Sequence, residues 1–593
     1  MRKRWLFILI VKCTLMKKIY FLFSLFFFIS YSFAQNEFIT VWKPGNSGLV
    51  VWAGNQPNHS TTNQIYFPGI GTNYTISWEE VGFPSHNGIL NNVTSTAGNA
   101  ILIDFGTPFN SNSTEATYHV KVSNGGGNFS QMVFYSILSE GPSNAYGDTQ
   151  KIVDIVQWGD INWKKIQFVN CDYLDCTATD SPIFLPASNL SYLFYNCEKL
   201  KATPQINNWN TTNVTNMSYA FYNANLFNES ISNWDTQNVT NMSTMFFSAD
   251  IFNQDITDWN TSKVTNMSYM FAGALAFNQN IDKWNTSNVT DMSHMFKTSG
   301  FNQSLNNWDT SKVTNMEWMF QNNNVFNGDI GNWDTSSVEN MTNMFLAALV
   351  FNKPIGNWNT SNVTNMSSMF YGAFSFNQPI GNWDISKVTN TSGMFSVAMA
   401  FNQNIENWNT SNVNTMGMMF FDAIAFNQNL GKWNLPKIDN AYFMLYNTAV
   451  DCVNYDKTLT GWANNINTPN NINFGNASPL IFSSNGAVTA RDFLINTKNW
   501  LIDGDSYNPN CTLGVSNNTV SSDLILYPNP VKDYINFSED IKEISIYDTA
   551  GKLIMTKKVT GKVVDVSYLS PGNYILKIIS KDQKSYSKKI IKY

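Results

Sequence analysis

The sequence predicts a repeat solenoid flanked by N-terminal and C-terminal all-β sandwich domains. A tryptophan recurs ten times between residues 209 and 433, at intervals of 25 residues with one interval of 24. One such coil cannot bury its apolar side chains alone, so coils of a fixed period stack and share a core. Only 13% of the residues are charged and 43% are hydrophobic, which suits a stacked body better than a disordered chain.

The first 34 residues predict a secretory signal peptide. Lys17 and Lys18 precede an apolar run, and Ser32 and Ala34 place small residues before a cleavage site after Ala34. Met16 is favoured as the start codon. A retained anchor is the alternative, but anchors usually need about 20 apolar residues. We therefore expect no transmembrane segment after cleavage.

Residues 36–150 predict the N-terminal β-sandwich. Short alternating segments such as FITVW, YTISW and ATYHVKV are separated by Gly, Pro, Asn and Thr. Three of the four histidines, His59, His86 and His119, lie here without the spacing of metal ligands. We expect no metal site and no cofactor.

Residues 151–450 predict the repeat solenoid. A full coil is FNQDITDWNTSKVTNMSYMF, residues 252–271. Its FNQxIxxW part is short and extended, which predicts a strand that pairs in parallel with the next coil. Its TNMSxMF part places Met267, Met270 and Phe271 at i, i+3 and i+4, which predicts a short helical turn. The Asn that follows the opening Phe of each coil, such as Asn253 after Phe252, is expected to hydrogen-bond from coil to coil.

The tryptophan row has two interpretations. Stacked indoles either pack in or near the core, which is favoured, or form a platform for sugars. In the second case the candidate ligand-facing residues are Trp234, Trp259, Trp284, Trp308, Trp333, Trp358, Trp383 and Trp408.

Five cysteines follow the predicted cleavage site. Cys171 and Cys197 occupy one slot in two adjacent, degenerate coils, where they either form a disulfide or, as favoured, stay as buried thiols. An exported protein resides where disulfides can form.

Residues 451–515 predict a C-terminal cap on the solenoid. Cys452 and Cys511 bracket this segment and are candidates for a disulfide. Asp503 and Asp505 are spaced like calcium ligands, but the motif is incomplete and a turn is favoured.

Residues 516–522 predict a linker, and residues 523–593 a second all-β sandwich. Seven short strands, from LILYP to SYSKKIIK, are separated by turn sequences such as PNP and SPGN.

The coil sequence and the lead-in IVQWGDINW, residues 155–163, resemble the BspA-type leucine-rich repeats of bacterial surface proteins. The resemblance covers residues 151–515 and implies an LRR-like, surface-exposed solenoid used for adhesion or binding. Residues 523–593 resemble the sorting domain of type IX secretion cargo, through YPNP at 527–530, IYD at 546–548 with GK at 551–552, and GNY at 572–574. This second resemblance implies the type IX machinery as a partner and a secreted location, at the outer-membrane surface or outside the cell.

The sequence contains no enzyme motif such as GxSxG, HExxH or a P-loop, and we expect no enzyme. Residues 1–34 and 523–593 are basic, and the chain between them is acidic. This middle part has no stripe of Lys and Arg, which argues against a nucleic-acid partner. The leading hypothesis is an adhesin or binding scaffold for host or environmental macromolecules, with a protein or polysaccharide as ligand. The alternatives are an architectural spacer or coat protein and, less favoured, a polysaccharide-acting enzyme, which would need carboxylates or bases in coils that break the repeat.

Overall fold

A computed structural model describes residues 36–46, 60–134, 147–201, 203–511, 524, 526–527, 531–548, 553–570 and 572–592. The signal segment 1–34, His59, the linker 516–522 and residues 528–530 and 551–552 of the tail motifs lie outside these ranges. Across the described part of the chain, no helix is both long and apolar enough to span a bilayer.

Regular secondary structure is concentrated at the two ends of the described chain. Two α-helices follow the repeats, α1 (Cys452–Asn464) and α2 (Asn485–Asn496). Short 3-10 turns lie at Ser113–Glu115 and Ile206–Asn208. The strands are β1 (Phe38–Trp42), β2 (Gln64–Phe67), β3 (Gly69–Glu80), β4 (Phe83–Ser95), β5 (Ile101–Asp104), β6 (Tyr118–Ser123), β7 (Asn128–Val133), β8 (Ile152–Gln157), β9 (Asn162–Gln167), β10 (Asp175–Cys176), β11 (Ile183–Asn189), β12 (Val214–Asn216), β13 (Asn473–Asn476), β14 (Ile481–Phe482), β15 (Leu501–Asp503), β16 (Ser506–Tyr507), β17 (Leu526–Tyr527), β18 (Tyr534–Asp548), β19 (Leu553–Asp565), β20 (Gly572–Ser580) and β21 (Ser585–Lys592).

The N-terminal region contains a mixed sheet of ten strands in the order β10-β8-β1-β6-β3-β7-β9-β11-β12, with β4 paired to β3, and a separate two-stranded sheet of β2 and β5. The sheet continues across residue 150. β1 pairs with β8, and β7 pairs in parallel with β9 through Met132 and Ile166. β9, β11 and β12 are then parallel to one another. The sheet therefore leads directly into the repeats and covers their first edge, which would otherwise expose unpaired backbone groups.

The turn at the end of each coil has an alternating hydrogen-bond pattern. The N–H groups of Met270 and Ala272 donate within the turn, to carbonyls three residues earlier. Those of Tyr269, Phe271 and Gly273 donate to carbonyls of the next coil, 24 residues later. An α-helix would direct all of them to carbonyls four residues earlier. The apolar spacing that predicts a helix comes instead from a turn whose backbone bonds are shared between coils.

The predicted strand of each coil is also absent. Within the repeats the coils share isolated parallel bridges, one per pair, that begin at Asn216↔Asn241 and end at Thr415↔Asn440. In the FNQ segment the contact between coils uses side chains. The Oδ1 of Asn253 accepts from the backbone N–H of Asn278 at 3.0 Å, and the same bond recurs along the row. The Asn row thus bonds from coil to coil, with the backbone as donor.

The predicted fold class is therefore wrong. It placed a strand and a helical turn in each coil of an LRR-like solenoid between two β-sandwiches. The described chain instead has a large mixed sheet that extends to Asn216, coils after that residue without helix or extended strand, and two helices after the repeats. The pattern was misleading because it identifies only which side chains share an environment. Helix and strand are defined by backbone hydrogen bonds, and in these coils half of the bonds in the turn run to a residue of the next coil.

The core of the repeats is built from rows of identical side chains. Val, Met, Phe and Trp each recur at one position of the coil, as in Val264, Met270, Phe271 and Trp259. These rows of side chains are buried. Phe rings in the row from Phe221 to Phe420 stack at 5.5–5.8 Å between coils. One apolar cluster runs without interruption from Phe38 to Ile502. Burial of this continuous core is the main force that holds the coils together.

The segment after the last repeat closes the stack. Trp462 on α1 donates its indole N–H to the carbonyl of Leu430 at 3.1 Å, and the hydroxyl of Thr458 accepts from the N–H of Leu430 at 3.0 Å. These contacts replace the ones that a further coil would make. Cys452, at the start of α1, is joined to Cys511 by a disulfide across 59 residues.

The described tail forms a single sheet of five strands, β17–β21, around its own apolar cluster. β18 is long and pairs with both β19 and β20. The predicted seven-strand sandwich is wrong because several predicted short strands are parts of the same long strand. YINF and KEISIYD, for example, both belong to β18.

Candidate functional site

One surface row of the repeats combines aromatic side chains with an unusual backbone. We call it the outer column. It holds the residue two places before the Phe that ends each coil, a position that Leu445 takes in the last coil. In all ten coils this residue has a positive φ, between 51° and 63°. The outer column consists of Tyr219, Thr244, Tyr269, His294, Trp318, Asn343, Ser368, Gly393, Met418 and Phe443.

The alternating turn imposes this backbone conformation. Tyr269 directs its N–H to the carbonyl of Ser293 in the next coil, at 2.9 Å, while its own carbonyl accepts from the N–H of Ala272 at 3.1 Å. The left-handed region suits Gly and Asn, and costs other residues of the order of 1–2 kcal/mol. Gly393 and Asn343 therefore fit the slot, whereas Tyr269, His294 and Trp318 occupy it at a cost.

The aromatic members stack on one another along the repeats. The rings of Tyr269 and His294 lie 4.0 Å apart with planes 10° apart, and those of His294 and Trp318 lie 5.7 Å apart with planes 6° apart. Tyr219 stacks in the same way on Tyr192, at 4.7 Å. Tyr219, Tyr269 and Trp318 remain partly exposed. The column therefore presents a run of ring edges to solvent.

A second aromatic row lies beside the outer column, three residues further along each coil. Tyr195, Tyr222 and Phe247 stack at 4.4 and 4.7 Å. Later members of this row include Lys297 and Gln321. The Nζ of Lys297 lies 5.0 Å from the centre of the Trp318 ring, in cation–π contact. The aromatic surface is thus two slots wide near Tyr219 and mixed with polar groups near Trp318.

His294 is the most enclosed polar ring of this surface. It is 9% exposed, and its Nδ1 has no hydrogen-bond partner among the described residues. Burial between Tyr269 and Trp318 disfavours the imidazolium, and Lys297 adds repulsion, so the pKa of His294 is lowered to about 4. The imidazole is therefore neutral at neutral pH.

Two carboxylates lie near this ring. Glu317 occupies a slot that holds Ser in most coils, and its Oε2 accepts from Asn340 Nδ2 at 2.7 Å. The pKa of Tyr269 is raised, first by burial and then by the negative charges of Glu317 and Asp291. The Oε1 of Gln321 and the Oγ1 of Thr342 are also buried without a partner in the described chain. A carboxylate and two buried oxygens without partners thus lie around Trp318, beside the ammonium group of Lys297.

The repeat is irregular at the same place. The only interval of 24 residues separates Trp284 from Trp308. In the following coil Asn323 replaces the small residue, usually Ala, of its slot. Its Nδ2 donates to the carbonyl of Phe301 at 3.0 Å and to the hydroxyl of Ser299 at 3.2 Å. Local departures from a repeat are expected where function overrides packing.

The predicted tryptophan row lies elsewhere, inside the body. Each of the eight predicted residues is only 2–4% exposed. Each indole N–H donates to a backbone carbonyl of the preceding coil, at 2.7–3.2 Å. Neighbouring indoles also stack, for example at 6.0 Å between Trp333 and Trp358. Their faces and their N–H groups are thus occupied by the protein itself.

The cysteines and acidic pair named from the sequence have structural contacts. Cys171 and Cys197 are buried free thiols, as favoured. Asp505 accepts a bidentate contact from Arg491, with Nη2 to Oδ1 at 2.6 Å, and a hydrogen bond from the hydroxyl of Tyr455 at 2.9 Å. Asp503 ends β15. Asp505 therefore serves a buried ion pair.

The described histidines of the N-terminal sheet pair with carboxylates. Nδ1 of His86 lies 2.5 Å from Glu80, and Nδ1 of His119 lies 3.5 Å from Glu79. Within the described ranges, no group of three or more His, Cys, Asp or Glu side chains could hold a metal ion.

Two protein families match the chain. The family described as "Mycoplasma protein of unknown function, DUF285" matches residues 188–305, 296–396 and 378–481. The "Secretion system C-terminal sorting domain" matches residues 525–593. No curated protein and no solved structure matches the chain. The repeats are thus similar to a tandem family of unknown function, and neither description names BspA-type repeats.

The tail match identifies the chain as a secreted protein. Its C-terminal sorting domain is the signal that the type IX machinery recognises, and it directs the protein to the cell surface or the extracellular space.

The outer column was not predicted from the sequence. Its slot holds Tyr, Thr, His, Trp, Asn, Ser, Gly, Met and Phe, so it lacks the constancy by which we recognised the other rows. The useful signal was the presence of both Gly and Asn in one slot, because these residues mark a left-handed backbone. Aromatic residues in such a slot are exceptions that need an explanation.

Proposed function

We propose that this protein is a surface adhesin or binding scaffold, and that the outer column is its recognition face. The observation that supports this is the occupancy of a left-handed slot by Tyr219, Tyr269, His294 and Trp318. Packing does not require these residues, since Gly393 and Ser368 fill the same slot in other coils. Strained residues on a surface are a reason to infer function.

The repeats suit this role because they hold the face rigidly. Backbone hydrogen bonds, the Asn row and the Phe stack connect each coil to the next along its whole circumference. A preorganised surface loses little conformational entropy when it binds a large partner. Export by the sorting domain places that surface outside the cell, where such partners are found.

We do not expect an anionic partner. The first 34 residues carry a net charge of +6 and residues 523–593 carry +4, while the whole chain carries −6. The part between them is therefore strongly acidic and repels nucleic acid and polyanions. A protein or a polysaccharide without strong negative charge fits better.

The test uses the whole exported chain, residues 35–593, because a cut at residue 150 would separate β1 from β8 and β7 from β9. We would measure its binding to arrayed surface proteins and polysaccharides, beside two variants. Trp318→Asn removes the largest exposed ring of the outer column and introduces the residue found at Asn343. Phe109→Asn is the matched control, since Phe109 is 56% exposed on the N-terminal region.

We expect saturable binding that Trp318→Asn weakens at least tenfold and that Phe109→Asn preserves. If only Phe109→Asn reduced binding, the repeats would be a spacer that carries the N-terminal sheet. An absence of binding to every arrayed macromolecule would favour an architectural coat protein and refute the proposal.

A further inference from the structure

Among all the surfaces of the described chain, the segment of the outer column from Tyr269 to Asn343 is the most specialised. Four features coincide there and nowhere else in the repeats: the histidine, the carboxylate of Glu317 in a Ser slot, the tryptophan of the outer column, and the 24-residue interval. A single substitution of this kind would be incidental. The concentration of all four features in two adjacent coils indicates a binding site.

The hydrogen-bonding groups of this segment favour a ligand that brings donors. The Oε1 of Gln321 and the Oγ1 of Thr342 are buried without a partner in the described chain, as is Nδ1 of His294, a side chain more than nine-tenths buried. Glu317 uses one carboxylate oxygen for Asn340. Buried polar atoms are normally hydrogen-bonded, and a carboxylate accepts only. Hydroxyl groups of a ligand would donate to the carboxylate of Glu317, whereas phosphate, sulfate or carboxylate groups would add more acceptors beside it.

The apolar part of the segment favours a ligand with flat C–H faces. Trp318 is partly exposed and stacks on His294 on one side only, because Asn343 follows it in the column and carries no ring. An aromatic ring bordered by a carboxylate, an amide and a hydroxyl combines apolar contact with a few orienting polar groups. A pyranose ring has the matching properties, since its C–H face is apolar and its rim carries hydroxyl donors.

We propose that the part of the outer column from Tyr269 to Asn343 is a binding site for a neutral polysaccharide, with one sugar ring against the exposed edge of Trp318 and its hydroxyl groups donating to the carboxylate of Glu317. This inference rests on the proposed binding function and specifies its ligand class. The acidic character of the body supports the choice of a neutral chain over an anionic one. The direction of the column, along the stack of coils, suits a linear polymer.

The test measures affinity of the whole exported chain for laminarin, mannan and xylan as neutral polysaccharides and for alginate as an anionic one. Trp318→Asn places the residue of the next coil in the slot, so the backbone conformation is retained. Met418→Asn is the matched control, because Met418 has the same conformation, with φ of 55°, and is 43% exposed a hundred residues further along. Glu317→Gln removes the charge and keeps the size.

We expect binding to at least one neutral polysaccharide and none to alginate. Trp318→Asn should weaken it at least tenfold and Glu317→Gln severalfold, while Met418→Asn stays within twofold and every variant remains folded at the temperature of the assay. Binding to no neutral polysaccharide, or equal loss in Trp318→Asn and Met418→Asn, would overturn this inference. If the chain then bound an arrayed protein through Trp318, the adhesin proposal would survive; if it bound nothing, both would fail.

Discussion

Two aromatic rows with the same period run along the repeats, and they have opposite characters. The tryptophan row is buried, and each indole N–H from Trp234 to Trp433 has a backbone acceptor in the preceding coil. The outer column is partly exposed, has a left-handed backbone, and includes His294 with an unpartnered Nδ1. Trp occupies its row in all ten coils, whereas the outer column changes from Tyr to Gly to Met.

This difference shows that constancy and function need not coincide in a repeat. A buried row is constant because each member packs between two copies of itself, so any change leaves a cavity or a clash in two interfaces. A surface row is free to vary, and its unusual members are informative. The tryptophan row explains stability, and the outer column is the better candidate for recognition.

The largest expected effect is on the tryptophan row. Trp308→Ala should reduce the free energy of unfolding by about 3–5 kcal/mol, because a large side chain leaves a cavity between two coils and a carbonyl loses its donor. Chemical denaturation followed by tryptophan fluorescence and circular dichroism would measure this. Trp318→Ala is the control and should cost clearly less. Equal losses would mean that the two rows do not differ in packing.

The next effect concerns pH and His294. Its pKa is lowered to about 4 in the folded chain from the ordinary 6.5, so the unfolded chain binds more protons between these values. Stability from this group is therefore complete above pH 6.5 and falls as the pH drops toward 4, by roughly 2 kcal/mol. Unfolding at pH 7 and pH 4.5 would be compared with His294→Asn, which removes this contribution while suiting the left-handed slot. Parallel pH profiles of the two proteins would contradict the prediction.

The smallest effect is expected at the exposed end of the outer column. Met418→Gly should change stability by less than about 1 kcal/mol, and in the stabilising direction, because Gly relieves the left-handed strain at a position that buries little. The shift in the urea midpoint would be measured with Met419→Gly as the contrast. Met419 is 1% exposed, so its replacement should be strongly destabilising. A destabilised Met418→Gly would show that the slot does not strain its residues.

The sequence was sufficient to identify the repeat period, the apolar rows and the sorting tail. Met267, Met270 and Phe271 were predicted to share one apolar face, and all three are buried. The local structure was not predictable from the same residues. A spacing of i, i+3 and i+4 is shared by an α-helix and by a turn in which alternate N–H groups leave for the next coil.

The candidate site was not predicted from the sequence. Trp259 was selected because it is constant, and constancy turned out to mark burial. Trp318 and His294 were visible as single departures from the repeat, but their proximity depends on the stacking of coils 24 and 25 residues apart. Glu317 becomes a candidate ligand contact only because the structure places it beside Trp318 and His294.

The sequence by itself determined that coils of 25 residues stack, which rows form their core, and that the chain carries a secretion signal at its C-terminal end. Only the tertiary structure decided the direction of each backbone hydrogen bond, the left-handed slot of the outer column, and which aromatic row faces solvent. The physical reason is that a period specifies which side chains are equivalent, whereas the partner of a given N–H group lies either three residues away or a full coil away. Local sequence does not distinguish these two partners, and the packed stack does.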